Sequence, residues 1–354
     1  ATMELAGDTF NYEDHGSVLV KGKSDEISVF LVSGINERVS SDKKRFQTPY
    51  VGSTNALKKM KELLELSTGQ INSDKDSQFI TIGITGEAGL GKSRLVSEFL
   101  KRNQCNYIRS GASNIHSRPY YIFISLLKSC MDISEFDKKN DMELKLNDFY
   151  YSMKTTLLDS EYSEFQKSQA LIGFLIGIDI EDDRLKTRGR ELQTHIHISI
   201  RAFIKAICVK SNLSGVPLVI ILEDMHWLDG SSMETIKYLY NTIDIDRGNN
   251  AEVSLEPFLI LDYRPEFILP DVISQNSKMI EIIQEPLNED DCLEIVNYFL
   301  DKSGKLPKDQ LKLLLERSSG NPFFIEEWMQ LLLLNRADDI EDVTLEMDIP
   351  DSLN

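Results

Sequence analysis

The chain has 354 residues, of which 41% are hydrophobic, and a formal net charge of −18 at pH 7. This length and apolar content suffice for two or three domains with a substantial core. The negative charge argues against direct contact with nucleic acid, because a phosphate backbone binds clustered lysine and arginine. The longest apolar runs, at 171–177 and 218–222, are much shorter than the ~20 residues of a membrane helix.

Four scattered cysteines without paired spacing indicate reduced thiols rather than a disulfide framework or a metal site. No signal peptide opens the sequence, so we expect a cytoplasmic protein.

The first β-rich segment lies between Gly16 and Val32, where two short runs flank the polar residues Lys23–Glu26. This pattern predicts a β-hairpin. The charged stretch that follows has no hydrophobic period and predicts a linker. We assign residues 1–34 to the hairpin unit and residues 35–48 to the linker. The next unit begins near Pro49, with a helix predicted from the spacing of its leucines and methionine, at Leu57, Met60, Leu63 and Leu64.

Residues 86–93 fit the pattern G-x-x-x-x-G-K-[ST] in full and follow a strand predicted at 78–84. Apolar residues after the pattern lie at helical spacing, so strand, loop and helix occur in the required order. Glycines let backbone amides turn toward a polyphosphate, while Lys92 can neutralise its outer phosphates and Ser93 can ligate Mg²⁺. The pattern indicates a phosphate-binding loop; the alternative is a glycine-rich surface turn beside an unrelated lysine.

Further strands are predicted at 107–109, 217–222 and 257–263, with a helix opening at Pro119 and a largely helical stretch at 140–210. Strands that alternate with helices predict a doubly wound α/β fold whose ligand lies beyond the carboxyl ends of the strands. We therefore assign residues 49–287 to this domain, with the helical insertion around 140–210. From Asn288 the pattern is helical, which predicts a second domain over 288–354.

Acidic residues follow one of these strands. Glu223 and Asp224 end the run at 217–222, where one carboxylate could hold Mg²⁺ through water and the other could orient an attacking water. The alternative is a solvated acidic turn. Asp229 is expected to cap the next helix and has either a structural or a functional role.

Two further positions leave alternatives open. Arg264 follows the strand at 257–263, where an arginine could reach a terminal phosphate or simply face solvent. Pro322, within Gly320-Asn321-Pro322, could lie on a purine ring, although Pro is also common at the first residue of a helix.

Four motifs in order carry a family resemblance. They are Gly-Glu-Ala-Gly-Leu-Gly-Lys-Ser-Arg at 86–94, Leu-Val-Ile-Ile-Leu-Glu-Asp-Met-His-Trp-Leu-Asp at 218–229, Asp-Tyr-Arg-Pro-Glu at 262–266 and Gly-Asn-Pro-Phe-Phe-Ile-Glu-Glu at 320–327. From Pro49 onward the chain resembles STAND-type AAA-like ATPases. The resemblance implies a P-loop NTPase core that uses ATP and Mg²⁺. Similar modules accompany soluble class III nucleotide cyclases, some serine/threonine kinases and LuxR-type transcription regulators.

The resemblance also implies roles for particular residues. Asp224, Lys92 and Arg264 would be catalytic, and Ser93 and Glu223 would be associated with the metal. Two departures from the family pattern, Ser53 after Gly52 and the order Glu223-Asp224, lead us to expect secure binding with slow hydrolysis. The nucleotide-binding residues would be Val51, Gly52, Gly86, Glu87, Ala88, Gly89, Leu90, Gly91, Lys92, Ser93, Arg94 and Pro322.

The ends of the chain resemble other modules. Leu19–Lys23 followed by Ile27–Phe30 resembles the last two strands of a class III adenylyl or guanylyl cyclase domain, and residues 349–354 resemble the approach to a winged-helix segment. The resemblance implies a regulatory ATPase module of a soluble cyclase, with the cyclase catalytic domain in cis as its partner. A protein partner at the C-terminal helical region is a further expectation. The alternatives are a non-hydrolysing nucleotide-operated scaffold and the ATPase module of a STAND transcription regulator or kinase.

Overall fold

The computed structural model describes residues 10–18, 27–35, 48–67, 80–115, 118–243, 257–276, 279–303 and 306–337. The chain divides into two compact units, Ala1–Pro49 and Tyr50–Asn354. The division falls beside Pro49, where the sequence predicts a new unit.

The first unit contains the predicted hairpin. Strand β1 (Phe10–Val18) pairs antiparallel with β2 (Ile27–Ile35), from Phe10 opposite Ile35 to Val18 opposite Ile27. The first strand begins at Phe10, earlier than the predicted run at Gly16. The residues between them are mostly polar and show no apolar pattern, but backbone hydrogen bonds to β2 still pair them. The predicted turn at 23–26 lies outside the described residues.

The second unit is built on a five-stranded parallel sheet in the order β4-β5-β6-β3-β7. The sequence predicts four of these strands, β3 to β6, but not the edge strand β7. Glu281 in the middle of β7 interrupts its apolar run. The strands are β3 (Thr81–Thr85), β4 (Asn106–Gly111), β5 (Leu218–Glu223), β6 (Phe258–Tyr263) and β7 (Met279–Ile283).

Helices connect these strands. The helix predicted to open at Pro119 begins at Tyr121 instead, because Tyr120 adopts a left-handed backbone with φ 63°. Up to the last strand the helices are α1 (Thr54–Ser67), α2 (Lys92–Arg102), α3 (Tyr121–Cys130), α4 (Lys139–Ser152), α5 (Asp159–Ile176), α6 (Arg190–Leu213), α7 (Gly230–Ile243) and α8 (Asp271–Ser274). Short 3₁₀ turns lie at Met153–Thr155, Asp183–Lys186 and Met225–Trp227.

Both faces of the sheet are buried. Successive strand residues point to opposite faces, so Ile221 and Ile260 pack with α1 and α2 while Ile220 and Leu261 pack with α3 to α7. A sheet covered on both sides exposes its polar backbone groups only at its ends. The doubly wound α/β core predicted from the sequence is therefore confirmed.

The C-terminal segment forms a helical domain with its own core, as predicted. Its helices are α9 (Glu289–Ser303), α10 (Lys308–Ser318) and α11 (Pro322–Ala337). Buried side chains from all three, including Val296, Leu314 and Trp328, form one apolar cluster. Among the described residues, no helix has the length and apolar character needed to cross a membrane.

Asp229 connects two helix starts. Its Oδ1 accepts hydrogen bonds from the backbone N–H groups of Tyr120 (3.0 Å) and Ser232 (2.9 Å), and its Oδ2 accepts from the Tyr121 N–H (3.2 Å) and the Ser232 hydroxyl (2.5 Å). The side chain therefore caps α7 and also satisfies amides at the start of α3. Of the two roles left open for Asp229, the contacts support the structural one.

We predict that Asp229→Ala lowers the free energy of unfolding by about 2 kcal/mol, because helix caps are each worth about 0.5–2 kcal/mol. Asp229→Asn should lose less, since its one carbonyl oxygen can still accept from Tyr120 and Ser232. Urea denaturation monitored by circular dichroism measures both losses. Glu143→Ala, on the exposed face of α4, is the control, and an equally small loss in Asp229→Ala would contradict the prediction.

Candidate functional site

The predicted phosphate loop lies between β3 and α2. Helix α2 begins at Lys92, and the preceding Gly91 (φ 88°) and Gly89 (φ 79°) both adopt a left-handed backbone that favours glycine. The first N–H groups of α2 have no acceptor within the helix. The loop and the helix start therefore form the phosphate cradle that the motif predicts.

Lys92 lies inside this loop. Its ammonium donates hydrogen bonds to the carbonyl oxygens of Gly86 (2.7 Å) and Glu87 (3.1 Å), and its side chain is buried. Carbonyl groups thus hold a positive charge at the mouth of the cradle, and within the part of the chain that the structure describes an anion can compete for it without breaking an ion pair.

The start of α11 lies against the loop. The Asn321 side chain donates to the carbonyl of Ala88 (3.1 Å), and the Phe323 N–H donates to the carbonyl of Gly89 (3.4 Å). A β-carbon placed on Gly91 would lie 3.9 Å from Pro322 Cγ. The fold thus brings Pro322 to the phosphate loop, although the two motifs, at 86–94 and 320–327, lie far apart in sequence.

Arg94 extends this contact. Its guanidinium makes a 2.7 Å ion pair with Glu326 of α11, and both side chains are at least four-fifths buried. The sequence places Arg94 among the nucleotide-binding residues; in the structure its guanidinium contacts the helical domain.

The entry segment, Tyr50–Asn55, lines an open cleft of about 450 Å³ together with Arg102 and α9 residues. Gly52 (φ 72°) packs closely on the helical domain, since a β-carbon there would come within 2.8 Å of Leu287, just before α9, and within 3.3 Å of Asp291 in α9. Val51 packs against the apolar cluster of the same domain. Val51 and Gly52, which the sequence predicts to bind nucleotide, therefore lie at the junction of the core and the helices.

Gln284 links the entry segment to the phosphate loop, a role that the sequence does not reveal. Its carboxamide exchanges hydrogen bonds with the Ser53 hydroxyl, and its backbone N–H donates to the carbonyl of Thr85 (2.7 Å). Gln284 is buried and follows the unpredicted strand β7. A single glutamine after an edge strand that the sequence does not predict carries no recognisable sequence signal.

Glu223, the predicted metal-associated acid, is held by an arginine. Arg109 of β4 donates to both carboxylate oxygens of Glu223, at 2.5 and 2.6 Å, and also to the Ser97 hydroxyl on α2 (3.2 Å). A bidentate guanidinium pair fixes the plane of the carboxylate. Each oxygen keeps a second lone pair, so Glu223 can still accept from a metal-bound water.

Asp224, the predicted catalytic acid, is exposed and adopts a left-handed backbone with φ 53°. The chain turns there from β5 into the 3₁₀ turn at Met225–Trp227. Non-glycine residues in this conformation are uncommon and strained, and they cluster at functional sites.

Arg264 and His226 lie close to this turn. The Arg264 guanidinium is 5.9 Å from the centroid of the Trp227 ring, within cation–π range. Burial, followed by the positive charge of Arg264, lowers the pKa of His226. These two influences favour the neutral form of the His226 imidazole beside Arg264.

Asp262 is a site residue that the sequence analysis misses. It lies on β6 beside Ile84 of β3 and is 2% exposed. Two influences act most strongly on its pKa: burial, which raises it, and the positive charge of Lys92, which lowers it. Burial outweighs Lys92 and raises the pKa of Asp262 to about 7. The sequence signal that could have found it is an aspartate inside an apolar strand, because aspartate is almost never fully buried unless it is paired.

The arrangement fits a polyphosphate with a cation. Within the described ranges, polar atoms that are buried without a hydrogen-bond partner include Thr85 Oγ1, Asp262 Oδ1 and both ring nitrogens of His226, all at this end of the sheet. Buried polar groups normally have partners, so a cluster of orphans indicates where a ligand or ordered water belongs. The glycine backbone of the loop supplies the amides and Lys92 the charge for such a ligand.

A glycine-rich phosphate loop on an interior parallel strand, with acids at the ends of β5 and β6, defines a P-loop NTPase core. Residues 71–249, half of the chain, match the AAA ATPase domain family. The chain belongs to this family.

Two solved structures are similar to the chain. The Walker-type ATPase PABY2304 of Pyrococcus abyssi is 15% identical over 81% of this chain and 69% of its own, with a TM-score of 0.45. Cdc6p from Pyrobaculum aerophilum is 10% identical over 82% of this chain and 64% of its own, with a TM-score of 0.43. A search of curated proteins found no match.

We predict that Asp262 makes folding stability depend on pH. Because its pKa is raised from 3.8 to about 7, the folded state binds a proton more tightly than the unfolded state. Its contribution is therefore complete below about pH 4 and is lost as the pH rises to about 7, with a slope near 1.4 kcal/mol per pH unit. Asp262→Asn should remove this slope.

Urea denaturation of the ligand-free wild type and of Asp262→Asn at several pH values from 5 to 8 tests this. The difference between the two curves isolates Asp262 from the other titrating groups. Asp148→Asn, on the exposed face of α4, should follow the wild type. Parallel curves for wild type and Asp262→Asn would contradict the prediction.

Proposed function

We propose that the unit Tyr50–Asn354 binds ATP with Mg²⁺, hydrolyses it slowly and acts as a regulatory module in the cytoplasm. The observation that carries the proposal is the phosphate loop between β3 and α2, with the Lys92 ammonium held only 2.7 Å from a loop carbonyl. Membership in the AAA ATPase domain family supports the nucleotide-binding part.

Different residues would bind the phosphates, the cation and the base. Loop amides and Lys92 would hold the phosphates, and the Ser93 hydroxyl with Glu223, through water, would hold the cation. When bound, Mg²⁺ neutralises charge on the phosphate oxygens. Val51, Gly52 and Pro322 would flank the base, since they lie where the helical domain meets the core.

Hydrolysis would depend on the groups that surround the terminal phosphate. Asp224 would orient the attacking water and Arg264 would stabilise negative charge on the phosphate. Glu223 is one methylene longer than the aspartate that the family pattern has at this position, and a misplacement of ~1 Å costs ~100-fold in rate. This departure from the pattern supports slow turnover.

A second candidate is a scaffold that holds nucleotide without hydrolysing it. The observation that favours it is the bidentate pair between Arg109 and Glu223, which occupies the predicted metal-associated carboxylate. The two candidates agree on binding and differ only in phosphate release.

The binding experiment uses Lys92→Ala. Titration calorimetry with Mg-ATP and Mg-ADP should show affinity lower by about 10- to 100-fold, because a hydrogen bond from a charged group is worth about 1.5–3 kcal/mol. Lys61→Ala, an exposed lysine of α1, is the matched control. Equal affinity in wild type and Lys92→Ala would reject the phosphate-loop assignment.

Asp224→Asn separates the two candidates. The variant keeps the size of the side chain and should bind Mg-ATP as the wild type does, while phosphate release falls by at least about tenfold. If the purified wild type releases no phosphate above the rate of Asp224→Asn, the scaffold is the correct function.

The link to a nucleotide cyclase is a further part of the proposal. Its support is the resemblance of the hairpin to the end of a class III cyclase domain, of which residues 27–30 lie in the antiparallel strand β2. Residues 19–23 of that resemblance lie outside the described residues. A STAND transcription regulator or kinase is the alternative parent. Cyclic nucleotide output of a protein that joins both modules should change with Lys92→Ala, and unchanged output would exclude the link.

A further inference from the structure

The Asn321 side chain makes hydrogen bonds both to the start of α11 and to the phosphate loop. Its side-chain oxygen accepts hydrogen bonds from the backbone N–H groups of Phe323 (3.1 Å) and Phe324 (3.3 Å), which caps the first turn of α11. Its side-chain nitrogen donates to the carbonyl oxygen of Ala88 in the phosphate loop (3.1 Å). One carboxamide therefore connects a helix of the C-terminal domain to the loop.

The connection fixes the direction of loop amides. In a trans peptide the C=O and the following N–H point in opposite directions, and the structure contains no cis peptide within the described residues. With the Ala88 carbonyl held by Asn321, the N–H of Gly89 must point away from α11. The Phe323 N–H holds the Gly89 carbonyl in the same way, which directs the N–H of Leu90.

The fit at this contact is close. A β-carbon at Gly89 would lie 2.7 Å from the Asn321 oxygen, so only glycine allows the approach. The backbone before α11 is itself fixed, because the Gly320 carbonyl accepts from the Leu287 N–H (2.8 Å). Asn321 is therefore presented to the loop by a constrained segment, and the Arg94–Glu326 ion pair holds the same helix to α2.

We propose that Asn321 is a positioning residue for phosphate binding, which orients the amides of the loop from outside by holding the Ala88 carbonyl. The proposal rests on the proposed nucleotide binding and adds a residue from the helical domain to it. The coupling through this bond is reciprocal. If Asn321 stabilises the loop conformation that binds phosphate, a ligand that holds the loop in that conformation also stabilises the first turn of α11.

Two variants separate the bond to the loop from the cap. Serine is as good a cap as asparagine, but its short hydroxyl cannot also donate to Ala88, so Asn321→Ser keeps the helix and loses the bond to the loop. Asn321→Asp also keeps the cap and presents an acceptor, not a donor, to the Ala88 carbonyl. Asn147→Ser, on the exposed face of α4, is the matched control.

We expect Asn321→Ser to bind Mg-ADP about tenfold more weakly than wild type, since one hydrogen bond is worth about 1–1.5 kcal/mol, with Asn321→Asp weaker still. The midpoint of thermal unfolding without ligand should fall by no more than about 5 °C in Asn321→Ser, because the helix cap is kept and only one hydrogen bond is lost. Hydrogen exchange gives the second readout. Mg-ADP should slow exchange at residues 323–325 in the wild type and in Asn147→Ser but not in Asn321→Ser.

Affinity in Asn321→Ser within twofold of wild type would overturn the proposal and leave nucleotide binding intact. If wild type and Asn147→Ser bind no nucleotide, the proposed function itself fails and this inference fails with it. If both Asn321 variants unfold, the wild type decides the question, because unchanged exchange at 323–325 on binding Mg-ADP contradicts a link through Asn321.

Discussion

The parallel alignment of β5, β6 and β3 is the constraint on which the candidate site depends. Strands that run in one direction end at one edge, so Glu223, Asp262 and the start of the phosphate loop collect there. Apolar layers cover both faces of the sheet, which leaves this edge as the place where charged groups and unsatisfied backbone amides meet. The direction of the strands therefore determines where the site lies.

Charge at this edge is balanced locally within a strongly acidic chain. Arg109 neutralises Glu223, Arg264 lies over Trp227, and Lys92 is held by carbonyl groups of its own loop. Asp262 is buried among these groups, and the low dielectric of its surroundings favours its neutral form. An anionic polyphosphate therefore meets cations that are positioned in advance, although the protein as a whole repels it.

The helical domain and the core meet around the phosphate loop. Asn321 bonds to the loop, Arg94 pairs with Glu326, and Gly52 packs against Asp291 of α9. These contacts come from different parts of the helical domain, yet each ends on the loop, on its helix or on the entry segment. A change in the loop on nucleotide binding has direct physical contacts through which to reach α9 and α11.

The sequence by itself determined the local elements: the strand, loop and helix of the phosphate cradle, the alternation that produces a doubly wound sheet, and the helical domain that begins near Asn288. These depend on periodicity and glycine placement, which act over a few residues. The tertiary structure alone decided which side chains meet. Arg109 on Glu223, Gln284 between Ser53 and Thr85, buried Asp262, and Asn321 on Ala88 join residues that are distant in sequence, and no local pattern encodes such contacts. Asp229 shows the same division, because its capping role is visible in the sequence while its second helix start, at Tyr120, appears only when the chain folds.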